Sequence, residues 1–426
     1  ADLLVRLGEA QTRIGDAAGA KRSFLAAAEN CRDEGSHDVL ARAALGYGGT
    51  GKFGSIFDPF GVVNDTLVDL LERAIEVCPS EQEHTRVRLL GWLAQALYWS
   101  DDGERRHRLS REALEAARRT GDPAVIAYAL HSQHVALWGP RHLAELRAGA
   151  EEMLELGRSL GDRDIQLKAY TWLITDALQT DPIEVADEYI VGYATLAEEL
   201  HRPYLLGYAE SMRAARAHLD GRHDDMIRSM DAQLARTEEA DAARAQEAHS
   251  WQMGLLLLDL DRVDDTLIEN LAGQSQRYPG PTFGVMLALA HASVGRDEEA
   301  RAELERLVPD DLARIPQDCM WAGTMAMLCR VVSRLGAVEY ARPLYDLLLP
   351  YAERNCLWGS GFIVYGPTSR FLGMLATMSG EPDRAIDHLE HALERSHELH
   401  SPPLVARVRT ELARALLARQ AEGDDD

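Results

Sequence analysis

The sequence predicts an all-α fold: a solenoid of about ten helical hairpins with a C-terminal cap helix, one array over residues 1–420. Three observations predict it. A spacing recurs: Gly295, Ala300, Leu304 and Leu307 return as Gly336, Ala341, Tyr345 and Leu348, as Gly380, Ala385, Leu389 and Ala392, and as Gly15, Ala20, Phe24 and Ala27. Seven residues before each glycine stands a small residue (Gly8, Ala288, Cys329, Gly373), and a leucine precedes it each time (Leu7, Leu287, Leu328, Leu372). Alanine, leucine, glutamate and arginine dominate, aromatics make up only 6%, and β-type runs are scarce, which favours helices.

The recurring unit reads as two short helices joined by a tight turn. Offsets of four and three residues place the second-helix positions on one face. A glycine takes the left-handed conformation that ends the first helix, and the small residue lets the partner helix come close. Such a unit cannot bury its apolar face alone, so copies stack, and an array of this kind grows along one axis beyond the size of a single core.

In order, the first repeat covers roughly 1–35. The second opens with a helix near 37–47, meets the sixteen-residue break GYGGTGKFGSIFDPFG (46–61), and resumes with a helix at 65–78. The third runs 81–120, with Leu109, Ala113 and Ala117 on the inner face of its second helix. Turn signals then fall at Gly121-Asp122-Pro123, Gly161-Asp162, His201-Arg202-Pro203, Ala240-Asp241 and Pro279-Gly280-Pro281, in steps of 39 or 40 residues. Inner hairpins fall at Gly139-Pro140, Thr180-Asp181-Pro182, Gly221 and Asp261-Arg262. A compact repeat at 281–308 and a linker with Pro309 and Pro316 lead to a repeat over 317–354. A second glycine-rich break, LWGSGFIVYGP (357–367), precedes the last repeat at 368–400. VARVRTELARALLAR reads as a solvating cap helix, because terminal repeats need a polar outer face, and residues 421–426 as a disordered acidic tail.

A net charge of −24 and a pI near 5.0 argue against a broad surface for nucleic acid or anionic membrane, while leaving room for a local basic groove. Five cysteines, odd in number and without a C-x-x-C pair, point to reduced thiols and a cytoplasmic location. No apolar stretch reaches membrane-spanning length, and the N-terminus has no signal-peptide pattern. The chain opens at Ala1, already inside a repeat, so a larger parent protein is expected.

The small residue, alanine, Phe/Tyr/Leu and alanine pattern resembles the tetratricopeptide repeat (TPR). More narrowly, ALGYGG (44–49), SREALEAARRTGDPAVIAYAL (110–130), HVALWGP (134–140), LLLPYAERN (347–355) and SRFLGMLATMSGEPDRAIDHLEHAL (369–393) are similar to one bacterial family. It is the C-terminal TPR-like region of large actinobacterial signalling proteins. Those proteins carry an upstream ATPase module and either a LuxR-type helix-turn-helix or a class III nucleotide cyclase domain. The resemblance covers nearly the whole chain and implies a right-handed superhelix with a concave groove. It also implies a cytoplasmic sensor or interaction module whose partners are an effector in the groove and the protein's own upstream ATPase or output domain. The ATPase module and the helix-turn-helix are not in this sequence.

Few motifs carry chemistry. Gly46-Tyr47-Gly48-Gly49-Thr50-Gly51-Lys52-Phe53 matches G-x-x-x-x-G-K, but it follows a helix rather than a strand and has Phe53 where a phosphate loop has its hydroxyl. It reads as an ordered insertion, with Phe53, Ile56, Phe57 and Phe60 either tucked against the superhelix or lining its groove. Histidines at i, i+3 (His131/His134, His388/His391, His397/His400) lack further ligands, and Cys329 stands at a packing position with Cys319 nearby. No catalytic residue, cofactor or metal site is expected.

The groove is the remaining candidate. Positions ten, six and three residues before the turn glycine face it in TPR proteins, which selects Ala326, Arg330 and Ser333, with Arg334 adjacent, then Arg370, Met374 and Thr377, and Trp251. His134 and Trp138 join this set as candidates. Arg330, Arg334 and Arg370 either form a cationic patch for a carboxylate or phosphate, or pair with acidic residues of neighbouring repeats. Trp138, Trp172, Trp251 and Trp321 are either core or groove. A bound partner is then a small molecule or protein segment; an adaptor that docks a peptide without a small ligand is the alternative.

Overall fold

A computed structural model describes residues 1–31, 37–49, 60–238, 242–308, 312 and 315–419, apart from the side chains of 243 and 244. Residues 1–169 and those from Tyr170 onward form two compact units, where the sequence reads as one array.

The first unit stacks antiparallel hairpins: α1 (Asp2–Arg13) with α2 (Ala17–Glu29), α3 (His37–Gly48) with α4 (Asp65–Val77), α5 (Glu83–Ala96) with α6 (Gly103–Thr120), and α7 (Pro123–Leu137) with α8 (Leu143–Leu160). The unit boundary falls inside α9 (Arg163–Thr180). Helix starts are fixed by side-chain caps. Asp16, Asn64, Asp102 and Asp122 each accept a backbone N–H that the first turn leaves without a partner. The turn glycines do what their spacing requires: Gly15, Gly295, Gly336 and Gly380 have φ of 81°, 75°, 61° and 71°.

Small residues at the packing position have an equally direct cause. A Cβ on Gly8 would lie 2.8 Å from the Phe24 ring and one on Gly46 2.5 Å from it, so Phe24 is clasped between two glycines on α1 and α3. In the last repeat a Cβ on Gly373 would meet Leu389 at 2.5 Å. Val5, Phe24, Leu40, Leu70, Leu71 and Leu93 continue the first unit's core around Phe24.

The second unit continues through α10 (Ile183–Leu200), α11 (Pro203–Leu219), α12 (His223–Thr237), α13 (Ala242–Asp259), α14 (Asp265–Arg277), α15 (Thr282–Ser293) and α16 (Asp297–Leu307). Then come α17 (Trp321–Leu335), α18 (Ala341–Leu348), α19 (Thr368–Met378), α20 (Pro382–Glu398) and α21 (Pro402–Arg419). Among the described residues the chain is therefore an all-α helical-repeat solenoid with one exception.

The exception is the second glycine-rich break. It folds as a β-hairpin of β1 (Asn355–Trp358) and β2 (Ile363–Pro367), paired antiparallel from Asn355↔Pro367 to Trp358↔Ile363, with an irregularity between Cys356 and Leu357. Aromatic and β-branched residues bounded by Gly359 and Gly361, both at positive φ, suit a short hairpin better than another helix. Every residue of both strands is buried. A two-stranded hairpin is marginal in water, and here helices cover it: β1 packs on α17, and β2 on α11, α13, α17, α19 and α20.

Of the first glycine-rich break, Thr50, Gly51, Lys52, Phe53, Ile56 and Phe57 lie outside the described residues, as does the acidic tail 421–426. What is described overturns a phosphate loop at its first step, because Gly46 and Gly48 are inside α3. Phe60 is buried edge-on against Trp99, with ring centroids 5.1 Å apart.

Candidate functional site

Helices α11, α13, α17, α19 and α20 of the second unit pack on the β-hairpin, which lies inside that unit. Asn355 donates from Nδ2 to the Leu178 carbonyl at 2.9 Å, 177 residues away. A Cβ on Gly361 would meet Leu178 at 2.8 Å, and one on Gly323 would meet the Leu357 carbonyl at 2.8 Å, so the hairpin approaches α9 and α17 as closely as backbone allows. Trp358 stands 6.2 Å from Trp251, ring to ring.

Beside the hairpin lies a buried charge cluster centred on Asp259, the last residue of α13, whose side chain is 1% exposed. Arg407 of α21 donates to both carboxylate oxygens, at 2.9 and 2.8 Å. Arg330 of α17 donates to the same group at 3.3 Å and to the Leu258 carbonyl at 2.9 Å. His218 Nε2 of α11 lies 3.4 Å away. Burial alone would push the Asp259 carboxyl up, but the neighbouring cations, Arg407 foremost, hold it well below the usual carboxylate range. Burial pushes His218 below its ordinary value against the pull of Asp259, so the imidazole is neutral at pH 7 and the two arginines carry the pairing.

This geometry decides between the two readings of the groove arginines. Arg330 and Arg334 converge on Asp261, at 3.3 and 2.6 Å, and Asp261 holds a left-handed φ of 53° at the inner turn between α13 and α14. Arg370 is buried and grips Glu411 of α21 through Nε at 2.9 and 3.1 Å and Nη2 at 2.7 Å. The three cations serve carboxylates of the chain itself and do not form an open anion patch. Ser333 is exposed on α17, and Thr377 turns its hydroxyl back to the Gly373 carbonyl at 2.9 Å. His134 and Trp138 belong to the first unit, both buried, with the Trp138 carbonyl accepting from the Tyr98 hydroxyl at 2.7 Å. Trp172 and Trp321 are core.

The last helix caps the final hairpin, as expected, and does more. Besides covering α19 and α20, α21 returns to α11: the Ser401 hydroxyl donates to the Leu219 carbonyl at 2.6 Å, and a Cβ on Gly221 would meet Pro403 at 2.9 Å. In the sequence Arg407 and Glu411 read only as part of a solvating cap helix, and nothing singles out Asp259.

Trp251 is placed differently from the arginines. It borders an open cavity of about 810 Å³ between α13 and α14, lined also by Glu247, Ser250, Asn270, Gly273, Gln274, Arg277 and Tyr278. Edge-on contact with Tyr278 at 5.5 Å and a tilted contact with Phe283 at 5.4 Å fix the indole. Around it the walls are polar: Tyr278 donates to Glu247, Asn270 donates to Ser250 at 3.2 Å, and Gln274 donates to Asn270 at 2.9 Å. Trp251 and Tyr278 are themselves buried, at 8% and 9% exposure, beside these polar walls.

The fold defines an all-α helical-repeat protein. No family model and no curated protein matches the chain. Among solved structures it is similar to yeast Tom70, at 12% identity over 99% of this chain and 90% of that one, with a TM-score of 0.42. The APC/C hetero-tetramer Cut9-Hcn1 gives 12% identity over 98% and 77%, also at 0.42. A circular tandem repeat protein of novel repeat topology gives 14% over 97% and 88%, at 0.13. Likenesses at these scores carry no argument about function, and the fold rests on the chain's own helices. No described helix is long and apolar enough to cross a membrane.

Proposed function

We propose that this chain is a non-catalytic sensor and protein-interaction module of a cytoplasmic signalling or transcriptional regulator, and that its effector or partner segment binds at the Trp251 cavity. The observation that carries this reading is the contrast inside the second unit. The β-hairpin is covered by helices and α21 is tied to Asp259, while α13 and α14 leave an open, polar cavity of about 810 Å³ beside the buried Trp251. A binding site that needs no internal contact displaced is the one available at least cost. The resemblance to the TPR-like region of actinobacterial regulators supplies the setting: an upstream ATPase or output domain whose state the module biases. That bias requires different affinity for the two states. The plain adaptor, docking a peptide without a small ligand, differs only in the occupant.

The test is a thermal-shift screen of metabolites, nucleotides and peptides, with every hit repeated on Gly273→Arg. Gly273 lines the cavity, and a Cβ there meets nothing within 4 Å, so the substitution fills the site without disturbing the helix. A ligand that raises Tm by mass action on the wild type and loses its effect on Gly273→Arg supports the reading. Ligands that shift both proteins equally would refute the site.

A further inference from the structure

The first unit brings His107 to a pair of side chains three residues apart, His142 and Glu145. His107 lies on α6; His142 caps the start of α8, and Glu145 follows in its first turn. The two imidazole rings are tilted at 56° with centroids 4.7 Å apart. One carboxylate oxygen, Glu145 Oε2, lies 3.9 Å from His107 Nε2 and 3.8 Å from His142 Nδ1, and one ligand atom of each residue falls within 4.8 Å of the others. Among the described residues no other group of three His, Cys, Asp or Glu side chains is so disposed.

We propose that His107, His142 and Glu145 form a binding site for a divalent transition-metal ion of the zinc class. Two imidazoles and a carboxylate are the donor set that zinc, cobalt, nickel and copper accept and that calcium and magnesium do not favour. Bonds of about 2.0–2.1 Å in a tetrahedral site put ligand atoms roughly 3.3 Å apart, so the carboxylate oxygen needs to close by about half an ångström toward each ring, and ligand atoms up to 4.8 Å apart by up to about 1.5 Å. The other carboxylate oxygen is already anchored: buried Gln133 of α7 donates to Glu145 Oε1 at 2.9 Å, which turns Oε2 toward the rings as an outer-shell partner does. All three ligands are partly exposed, at 29%, 30% and 45%, so an ion has an entry path and a fourth position stays open to water or a partner's donor. Glu104 adds negative charge near His142, and Arg141 opposes it.

The experiment uses the whole chain, stripped of metal and titrated with Zn²⁺ against a chromophoric chelator, then with Co²⁺ by visible absorption. An equimolar step is expected, with the d–d bands of a low-coordinate N/O site and no thiolate charge-transfer band. His107→Ala, His142→Ala and Glu145→Gln should each weaken binding at least tenfold, and Gln133→Ala by about 10–100-fold. Zn²⁺ should also protect His107 and His142 of the wild-type protein from diethyl pyrocarbonate, read by mass spectrometry, which holds even where a variant folds poorly. No equimolar binding, binding that survives the double histidine variant, a thiolate band from the cysteines, or unprotected histidines would each overturn the site.

Discussion

Arg407→Ala tests whether the second unit is closed by its clasp. The Asp259 carboxylate is buried at the end of α13 and bonded through both oxygens by Arg407, with Arg330 at 3.3 Å as the remaining cation. Removing Arg407 leaves that carboxylate with the neutral His218 at 3.4 Å and one longer cationic contact, from a guanidinium already shared with Asp261 and the Leu258 carbonyl. Breaking a buried pair by deleting one partner costs about 3–5 kcal/mol. Arg407 is partly exposed and Arg330 stays, so the low end applies, about 3 kcal/mol. For a cooperative unit of this size that is a fall in Tm of roughly 6–12 °C. Denaturant unfolding gives the free energy, and amide hydrogen exchange gives its location. Protection should drop in α21 and in the last turns of α11 and α13, and stay unchanged in α1–α8. Asp259→Leu combined with Arg407→Leu should recover part of the loss, with a coupling of about 1.5 kcal/mol or more in the double-mutant cycle. A loss under about 1 kcal/mol, or one spread evenly over both units, would refute the clasp.

Two further outcomes follow from the same packing. Acid should weaken the second unit in two stages. His218 has a folded pKa lowered by burial, so the unfolded chain binds its proton first and stability falls as pH drops below about 6.5. Asp259 is held low by Arg407 despite its burial, so its contribution is complete above about pH 3.9 and is lost as pH falls toward the folded value. Tm measured against pH should lose the upper limb in His218→Gln and the lower limb in Asp259→Asn. Two helical glycines should respond in opposite directions to alanine, as denaturant midpoints will read. Gly373→Ala puts a methyl 2.5 Å from Leu389 and should cost about 1–3 kcal/mol, whereas Gly273→Ala meets open space and should gain about 0.5–1 kcal/mol of helix propensity.

What was legible in the sequence was whatever a repeat encodes between neighbours. Gly15, Gly295, Gly336 and Gly380 end helices in the left-handed conformation because the next helix must begin there, and Gly8 and Gly373 are small because Phe24 and Leu389 lie against them. Such contacts return every repeat, so a period reports them. The interior of the second unit is held by contacts that occur once. Asp259 meets Arg407 across 148 residues, Leu219 meets Ser401 across 182, and Thr180 accepts from Arg395 across 215. No periodicity carries information about those pairs. The β-hairpin escaped for a related reason: its nine strand residues read as one more apolar break until the helices that cover them are in place.

The positions that face inward were identified from repeat register, yet facing inward is a different property from being free to bind. An anionic effector at Arg330 or Arg370 would have to displace Asp259 or Glu411, leaving a carboxylate in a dry interior with its cation taken away. That penalty is several kcal/mol before any new contact is counted, comparable to the whole binding energy of a millimolar ligand, about 4 kcal/mol. At Trp251 the indole is held by Tyr278 and Phe283, and Asn270 and Gln274 bond to neighbouring wall residues, so a ligand there would displace no buried carboxylate from its guanidinium. The same residue register therefore assigns opposite roles to its two kinds of side chain. The arginines hold carboxylates of the second unit itself, and the tryptophan marks where we propose that a partner binds.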